Sequence, residues 1–245
     1  MLVCLHTGNK SFLPFLLFPF LLFSIRANFR AMKDTYRHKG LRQKLVDALR
    51  EKGIQNEDVL TAINSVPRHL FMDSGFISHS YTDKAFPIAA GQTISQPYTV
   101  AFQTELLAPE KHQKVLEVGT GSGYQTAVLL ELGTRAYSIE RIRELYLTAR
   151  DQLATMGYKT GLYYGDGYQG LPAFAPFDRI LVTAGANDVP GKLFEQLAVG
   201  GRMVIPVGDR FGQKMLLIEK TGEKESRRTE HGYFSFVPLL QGKTS

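Results

Sequence analysis

Val115-Leu116-Glu117-Val118-Gly119-Thr120-Gly121-Ser122-Gly123-Tyr124 is the stretch that decides the fold. A short apolar strand, Val115, Leu116 and Val118, runs into three glycines at alternate positions. Glycine lets such a turn take positive φ and lets a ligand come close where a Cβ would block it. A helical pattern follows at once in Ala127, Val128, Leu129, Leu130 and Leu132, and Gly133 stops it. Strand, glycine turn and helix together form the ligand-binding corner of a doubly wound α/β domain.

The spacing narrows the ligand. A dinucleotide fingerprint runs G-x-G-x-x-G, which would put its third glycine at Tyr124, but here it comes one residue early, at Gly123. Glu117 also lies inside the strand, two residues before the first glycine. A carboxylate there crowds a pyrophosphate with like charge but suits a ligand carrying an ammonium group. The E-x-G-x-G-x-G run therefore resembles the first motif of class I S-adenosylmethionine-dependent methyltransferases. That resemblance implies a Rossmann-like sheet with helices on both faces. A degenerate nucleotide loop is the plainer alternative.

Two further signals fall where this fold needs them. Ala136-Tyr137-Ser138-Ile139 reads as a second buried strand closed by Glu140, 17 positions beyond Gly123. A Rossmann-type fold places the carboxylate that binds both ribose hydroxyls close to this point. The competing reading is a solvated carboxylate at the start of a helix spanning Arg141 to Met156. Later, Leu162-Tyr163-Tyr164 leads into Gly165-Asp166-Gly167. By the methyltransferase resemblance Asp166 would lie by the adenine, with Gly167 beside it, though Gly-Asp-Gly alone is also an ordinary turn.

Composition sets limits on the rest. The chain has 245 residues, 44% of them apolar, with no repeat or low-complexity tract. That suffices for one domain with a substantial core and a smaller appendage. The net charge is +6, but residues 1–31 hold Lys10, Arg26 and Arg30 and no acid. Removing those three leaves 26 basic against 23 acidic residues, a net charge of +3. That is too mild to argue for a nucleic-acid partner. Cys4, the only cysteine, lies in the same segment, so the rest of the chain has neither disulfide nor thiol nucleophile. No His, Cys and carboxylate cluster has metal-ligand spacing, so no metal is expected.

Residues 1–31 read as an apolar extension. Phe12 to Phe23 is almost wholly apolar but short for a bilayer, and it carries Pro14 and Pro19. No stable membrane partner is expected. One reading is a secretory signal with Ile25-Arg26-Ala27 as a poor cleavage site, which would export the protein. The favoured one is an internal translation start at Met32, which leaves a cytoplasmic protein.

Residues 32–107 form a separate helical and loop region ahead of the ligand-binding domain at 108–245. Leu41, Leu45, Val46 and Leu49 keep helical spacing up to Gly53. Asn56 then caps a second helix through Val59, Leu60 and Ile63, which Pro67 closes. Residues 89–97, Ala-Ala-Gly-Gln-Thr-Ile-Ser-Gln-Pro, are polar and without periodicity, and Val100 to Leu107 resumes as helix. Such a loop before the cofactor strand suits a substrate lid. The alternative is a connector in which Ser95 merely caps the next helix.

At this loop the sequence stops being generic. Gly91-Gln92-Thr93-Ile94-Ser95-Gln96-Pro97-Tyr98, with Val66-Pro67-Arg68 upstream, resembles the protein-L-isoaspartate O-methyltransferase family. The likeness continues through residues 177–186 and 200–208 to Phe236-Val237-Pro238-Leu239. Ala89 and Ala90 depart from it where glycine with a polar residue is more usual, and Asn187 where proline is. The resemblance implies methylation of the abnormal side-chain carboxylate of L-isoaspartyl residues, with S-adenosylmethionine as donor. A carboxylate is ionised at neutral pH and needs no general base, so the lack of a catalytic Cys or His is no obstacle.

The same resemblance assigns roles. Ser95 is the catalytic residue, with Thr93 and Ile94 shaping the substrate loop. Glu117 holds the cofactor's amino-acid portion, the backbone of Gly119, Thr120, Gly121, Ser122 and Gly123 approaches it closely, and Glu140 takes the ribose. Thr183 either helps hold the peptide or satisfies local backbone as a turn hydroxyl. Phe236 to Leu239 either lines the peptide groove or forms a final core strand. The partners implied are isoaspartyl peptides and proteins, met by a monomer. Methylation of RNA or a small molecule, a non-catalytic sensor of the cofactor, and a nicotinamide dehydrogenase are the rival functions.

Overall fold

The computed structural model describes residues 34–209 and 211–244. The apolar extension, Cys4 and the start at Met32 lie outside the described residues. Two helices open the fold, α1 (Tyr36–Glu51) and α2 (Glu57–Ser65), followed by short 3-10 turns at Arg68–Phe71 and Ser74–His79. A two-stranded hairpin, β1 (Phe86–Pro87) with β2 (Thr93–Ile94), precedes α3 (Pro97–Leu107). Then come β3 (Lys114–Val118), α4 (Tyr124–Glu131), β4 (Arg135–Glu140), α5 (Arg143–Thr155) and β5 (Gly161–Tyr164). The chain finishes with β6 (Phe177–Val182), α6 (Gly191–Gln196), β7 (Leu197–Asp209), β8 (Gly212–Lys220) and β9 (Ser226–Phe234).

The central sheet has seven strands in the order β5-β4-β3-β6-β7-β8-β9. Its first five strands are parallel, while β8 runs antiparallel to both β7 and β9. The doubly wound core expected from the glycine corner is thus extended on one edge into a mixed sheet. Strand order reverses at β3, which pairs with β4 on one side and β6 on the other. Ligands of open α/β sheets bind at such a switch point.

Side-chain alternation builds two cores. Leu116, Val118, Ile180, Val182, Met203 and Ile205 face one side, where Leu193 of α6 packs on them. Val115, Leu181 and Val204 face the other, beneath Leu107 of α3 and Leu129 of α4. This double coverage explains why Val115, Leu116 and Val118 of β3 and Ile180 to Val182 of β6 are apolar on both faces. A third cluster joins Leu45, Val46, Leu49, Leu60 and Ile63 of α1 and α2 to Tyr124, Ala127 and Val128 of α4 and Leu153 of α5. Helices and sheet lie within one compact unit, Asp34–Ser245.

Local chemistry fixes the helix ends. Asn56 Oδ1 accepts from the N–H groups of Asp58 and Val59 at 3.0 and 3.1 Å and so caps α2. Glu57 and Asp58 add negative charge to that first turn. No helix among the described residues is long and apolar enough to cross a membrane. Replacing Asn56 by Ala should lower the unfolding free energy by about 1 kcal/mol, read as a shift in urea midpoint at constant m-value.

Candidate active site

The turn after β3 stays close to its neighbours. Gly119 N–H donates to Ile139 O at 2.9 Å, and Thr183 N–H donates to Val118 O at 3.0 Å. Gly119 takes φ +99°, and a Cβ there would lie 2.5 Å from Thr183 Oγ1. No larger residue fits without displacing the Thr183 hydroxyl. Thr120 Oγ1 and Ser138 Oγ meet at 2.6 Å, tying the turn to β4, and Ser122 Oγ accepts from Tyr124 N–H at 3.3 Å. Gly123, at φ +85°, is the residue from which α4 starts.

Above this turn lies a cleft of about 880 Å³, mouth included. Its lining takes in Gly119 to Ser122, Glu140 to Ile142, Gly167, Thr183 and the loop Gln92 to Ser95, closed by Val237 to Leu240. A second, more open groove of about 1730 Å³ runs between the start of α3 and the end of β9. Tyr98, Phe102, Phe234 and Phe236 give it an aromatic wall. Thr93, Ser95, Thr183 and Val237 line both spaces. They are the partition between cleft and groove.

Glu140 and Glu117 occupy contrasting positions. Glu140 borders the cleft, and its two oxygens accept from the N–H groups of Gly121 and Ile142, each at 2.9 Å. Each oxygen keeps a lone pair for a ligand. Glu117 is fully buried and is not among the residues that line the cleft. The period-2 alternation of β3 turns its side chain, with that of Val115, toward α4. There Oε2 accepts from Thr126 Oγ1 at 2.5 Å, while Oε1 is buried without a hydrogen-bond partner. Burial pushes this carboxyl up to about 7 from an ordinary 4.5, against the opposing hydrogen bond from Thr126.

Other expected residues divide similarly. Thr93 is exposed, Ile94 is buried in the core beside α1 and α2, and Ser95 is half-buried at the partition. Ser95 caps nothing, because α3 begins after Gln96 without a side-chain cap of its own. The Thr183 hydroxyl reaches Val118 O at 3.0 Å and Gly119 O at 2.6 Å, so its single proton is committed to the turn. Asp166 does not line the cleft. It accepts from Tyr168 N–H at 2.9 Å in an Asx turn, and neighbouring Gly167 faces the cleft instead.

Two features escaped the sequence reading, and a third was left open by it. Residues 236–239 continue no strand, since β9 ends at Phe234, while Phe236 and Val237 line the groove. The segment also brackets Gly185, whose N–H donates to Val237 O at 2.8 Å and whose carbonyl accepts from Leu239 N–H at 2.7 Å. Ala90 holds a left-handed φ of 56° within the tight turn Ala89–Gly91, which Ile88 N–H closes on Gln92 O at 2.8 Å. The fold also gathers Asp34, His38 and His69, with ligand atoms within 4.8 Å of one another, although no metal-ligand spacing was visible. Both Asp34 oxygens already accept from Arg42, at 3.0 Å each, which sets a cation against any metal there.

Fold and site together define a class I methyltransferase: a glycine turn at the switch point, an acid ending β4, and a second groove meeting the cleft at one partition. Residues 40–244 match the family Protein-L-isoaspartate(D-aspartate) O-methyltransferase, and the chain belongs to that family. A protein-L-isoaspartate O-methyltransferase of Christiangramia forsetii is 61% identical over 213 residues, covering 86% of this chain and all of the relative. One from Methanopyrus kandleri is 50% identical over 205 residues, covering 81% and 91%. A solved protein-L-isoaspartate O-methyltransferase superposes with a TM-score of 0.75 at 28% identity, covering 82% of this chain and 67% of that one. A Plasmodium falciparum structure titled a putative enzyme of the same kind, in complex with S-adenosyl-L-homocysteine, has the same fold. It gives a TM-score of 0.72 at 22% identity and covers 81% of this chain and 98% of that one.

The buried Glu117 carboxyl has a measurable signature. Its folded form keeps a proton that the unfolded chain loses near pH 4.5, so stability falls as pH rises from about 4.5 to about 7. The cost at higher pH is on the order of 3 kcal/mol. Glu117→Gln should abolish that slope and leave the ligand-free protein more stable than wild type at pH 8. Urea midpoints measured from pH 4.5 to 8 test both points.

Proposed function

We propose that the cleft holds S-adenosylmethionine, that the groove holds a peptide, and that methyl transfer takes place at the partition of Thr93, Ser95, Thr183 and Val237. As a member of its family the chain transfers a methyl group to the carboxylate of L-isoaspartyl residues in damaged peptides and proteins, the first step of their repair. The observation that carries the division of labour is that these four residues line both spaces.

The residues fit the cofactor. Gly119 and Gly167 present backbone where a Cβ would strike Thr183 or Val118. Glu140 faces the cleft with spare acceptor capacity for two ribose hydroxyls. Asp166 serves the adenine end by fixing the turn that carries Gly167. Glu117 acts from beneath, holding Thr126 of α4 under the glycine turn. When bound, the cofactor supplies an electrophilic methyl group on sulfur.

The protein's own residues do the remaining work. The acceptor carboxylate is ionised at neutral pH, so no side chain has to remove a proton. Ser95 Oγ donates a hydrogen bond that orients it. Thr93 and Ile94 shape the loop around it, and Thr183 positions Gly119 rather than the peptide, because its proton is already used. Val237, Pro238 and Leu239 exclude water from the line of transfer. A monomer acting in the cytoplasm completes the reading.

The test uses labelled S-adenosylmethionine and two peptides that differ only in isoaspartyl versus normal aspartyl linkage. Base-labile label should appear on the isoaspartyl peptide alone. Cofactor binding with neither peptide labelled would favour a sensor instead. Ser95→Ala should cut kcat/KM about 10- to 100-fold, the worth of one hydrogen bond to a charged group, and leave the cofactor Kd unchanged.

A further inference from the structure

The loop carrying Ser95 is weakly anchored by its own residues. Strand β2 is two residues long and pairs only with Phe86 and Pro87. Helix α3 takes no cap from the Gln96 side chain, so its first N–H groups need an outside acceptor. Asp83 supplies it from the segment before β1. Its Oδ1 accepts from Tyr98 N–H at 2.8 Å, and its Oδ2 from Gln96 Nε2 at 3.0 Å and Lys52 Nζ at 2.5 Å. The Asp83 side chain is only 12% exposed, and it lines neither the cleft nor the groove.

Asp83 is itself held from below. Arg68 is fully buried, and it donates through Nε to Ser80 O at 3.1 Å and through Nη2 to Lys84 O at 3.4 Å. Both carbonyls belong to the segment that carries Asp83. The Arg68 guanidinium also lies 4.8 Å from the centre of the Tyr124 ring. Tyr124 opens α4 directly after Gly123 and lines the cleft. Burial lowers this guanidinium to about 10, so it stays charged at neutral pH. A line of contacts thus runs from the glycine turn through Tyr124, Arg68 and residues 80–84 to the residues just after Ser95.

We infer that Asp83 is a positioning residue for methyl transfer: it clamps Gln96 and Tyr98 and so fixes the Ser95 hydroxyl at the partition without touching either ligand. The inference rests on the role given above to Ser95. Loss of the clamp leaves the cleft intact but lets Ser95 wander, so turnover falls while cofactor affinity does not.

A double-mutant cycle in the full-length chain tests this, with Asp83→Ala, Ser95→Ala and the pair, and Asp83→Asn as the milder variant should Asp83→Ala fail to fold. Turnover is measured on the isoaspartyl peptide and the cofactor Kd by calorimetry. Asp83→Ala should lower kcat tenfold or more with the cofactor Kd within twofold of wild type, and Asp83→Asn should fall between. In the Ser95→Ala background the same change should cost less than twofold, because its effect passes through Ser95. Equal losses in both backgrounds, or a kcat for Asp83→Ala within twofold of wild type, would overturn the inference and leave the role of Ser95 standing. Full activity of Ser95→Ala alone would remove that role and the inference with it.

Discussion

The structure depends most on how β3 is held and how it ends. Val118 is paired with Ile139 on one side and Val182 on the other, and both neighbours continue the pairing to the last residue. Beyond it the chain turns toward α4, while β4 leads into α5 and β6 into the Thr183 turn. The crevice opens where these paths part. Because the Thr183 hydroxyl bonds the Gly119 carbonyl at 2.6 Å, the floor of the crevice is set by backbone and one threonine. Everything else in the site is a wall added to that floor. One wall comes from the hairpin before α3, another from residues 237–240.

Two carboxylates beneath and beside the turn show how position decides chemistry. Glu140 ends its strand at the cleft, where two backbone N–H groups meet its oxygens. Glu117 lies inside its strand, where one hydroxyl meets one oxygen and the other is left unpaired. Burial with a single partner favours the protonated form. The same residue type therefore borders the cleft as a backbone-bonded acceptor in one place and is a buried acid in the other, and the difference is set by strand parity and the distance from the strand end.

Much of this was legible in the sequence for identifiable reasons. The apolar run 115–118, the alternate glycines and the acid at 140 are local signals, and the fold puts each at the switch point. Asn56 and Gly123 mark helix starts through short-range backbone chemistry. What could not be read depends on chain segments meeting after long excursions. Asp83 reaches Lys52, 31 residues away, and Tyr98, 15 away, and no periodicity announces either contact. Gly185 is bracketed by Val237 and Leu239 across about fifty residues. The face that Glu117 occupies was not legible either: its spacing from Gly119 is plain, but its face depends on which side of β3 carries α4.

The partition between the two spaces also limits how the enzyme could be blocked. Thr93, Ser95, Thr183 and Val237 belong to both linings, and the Thr183 hydroxyl is pinned to the glycine turn. A single inhibitor occupying cleft and groove together would have to thread this wall. A ligand that displaced the Thr183 hydroxyl would also break its bond to the Gly119 carbonyl and so disturb the floor of the crevice.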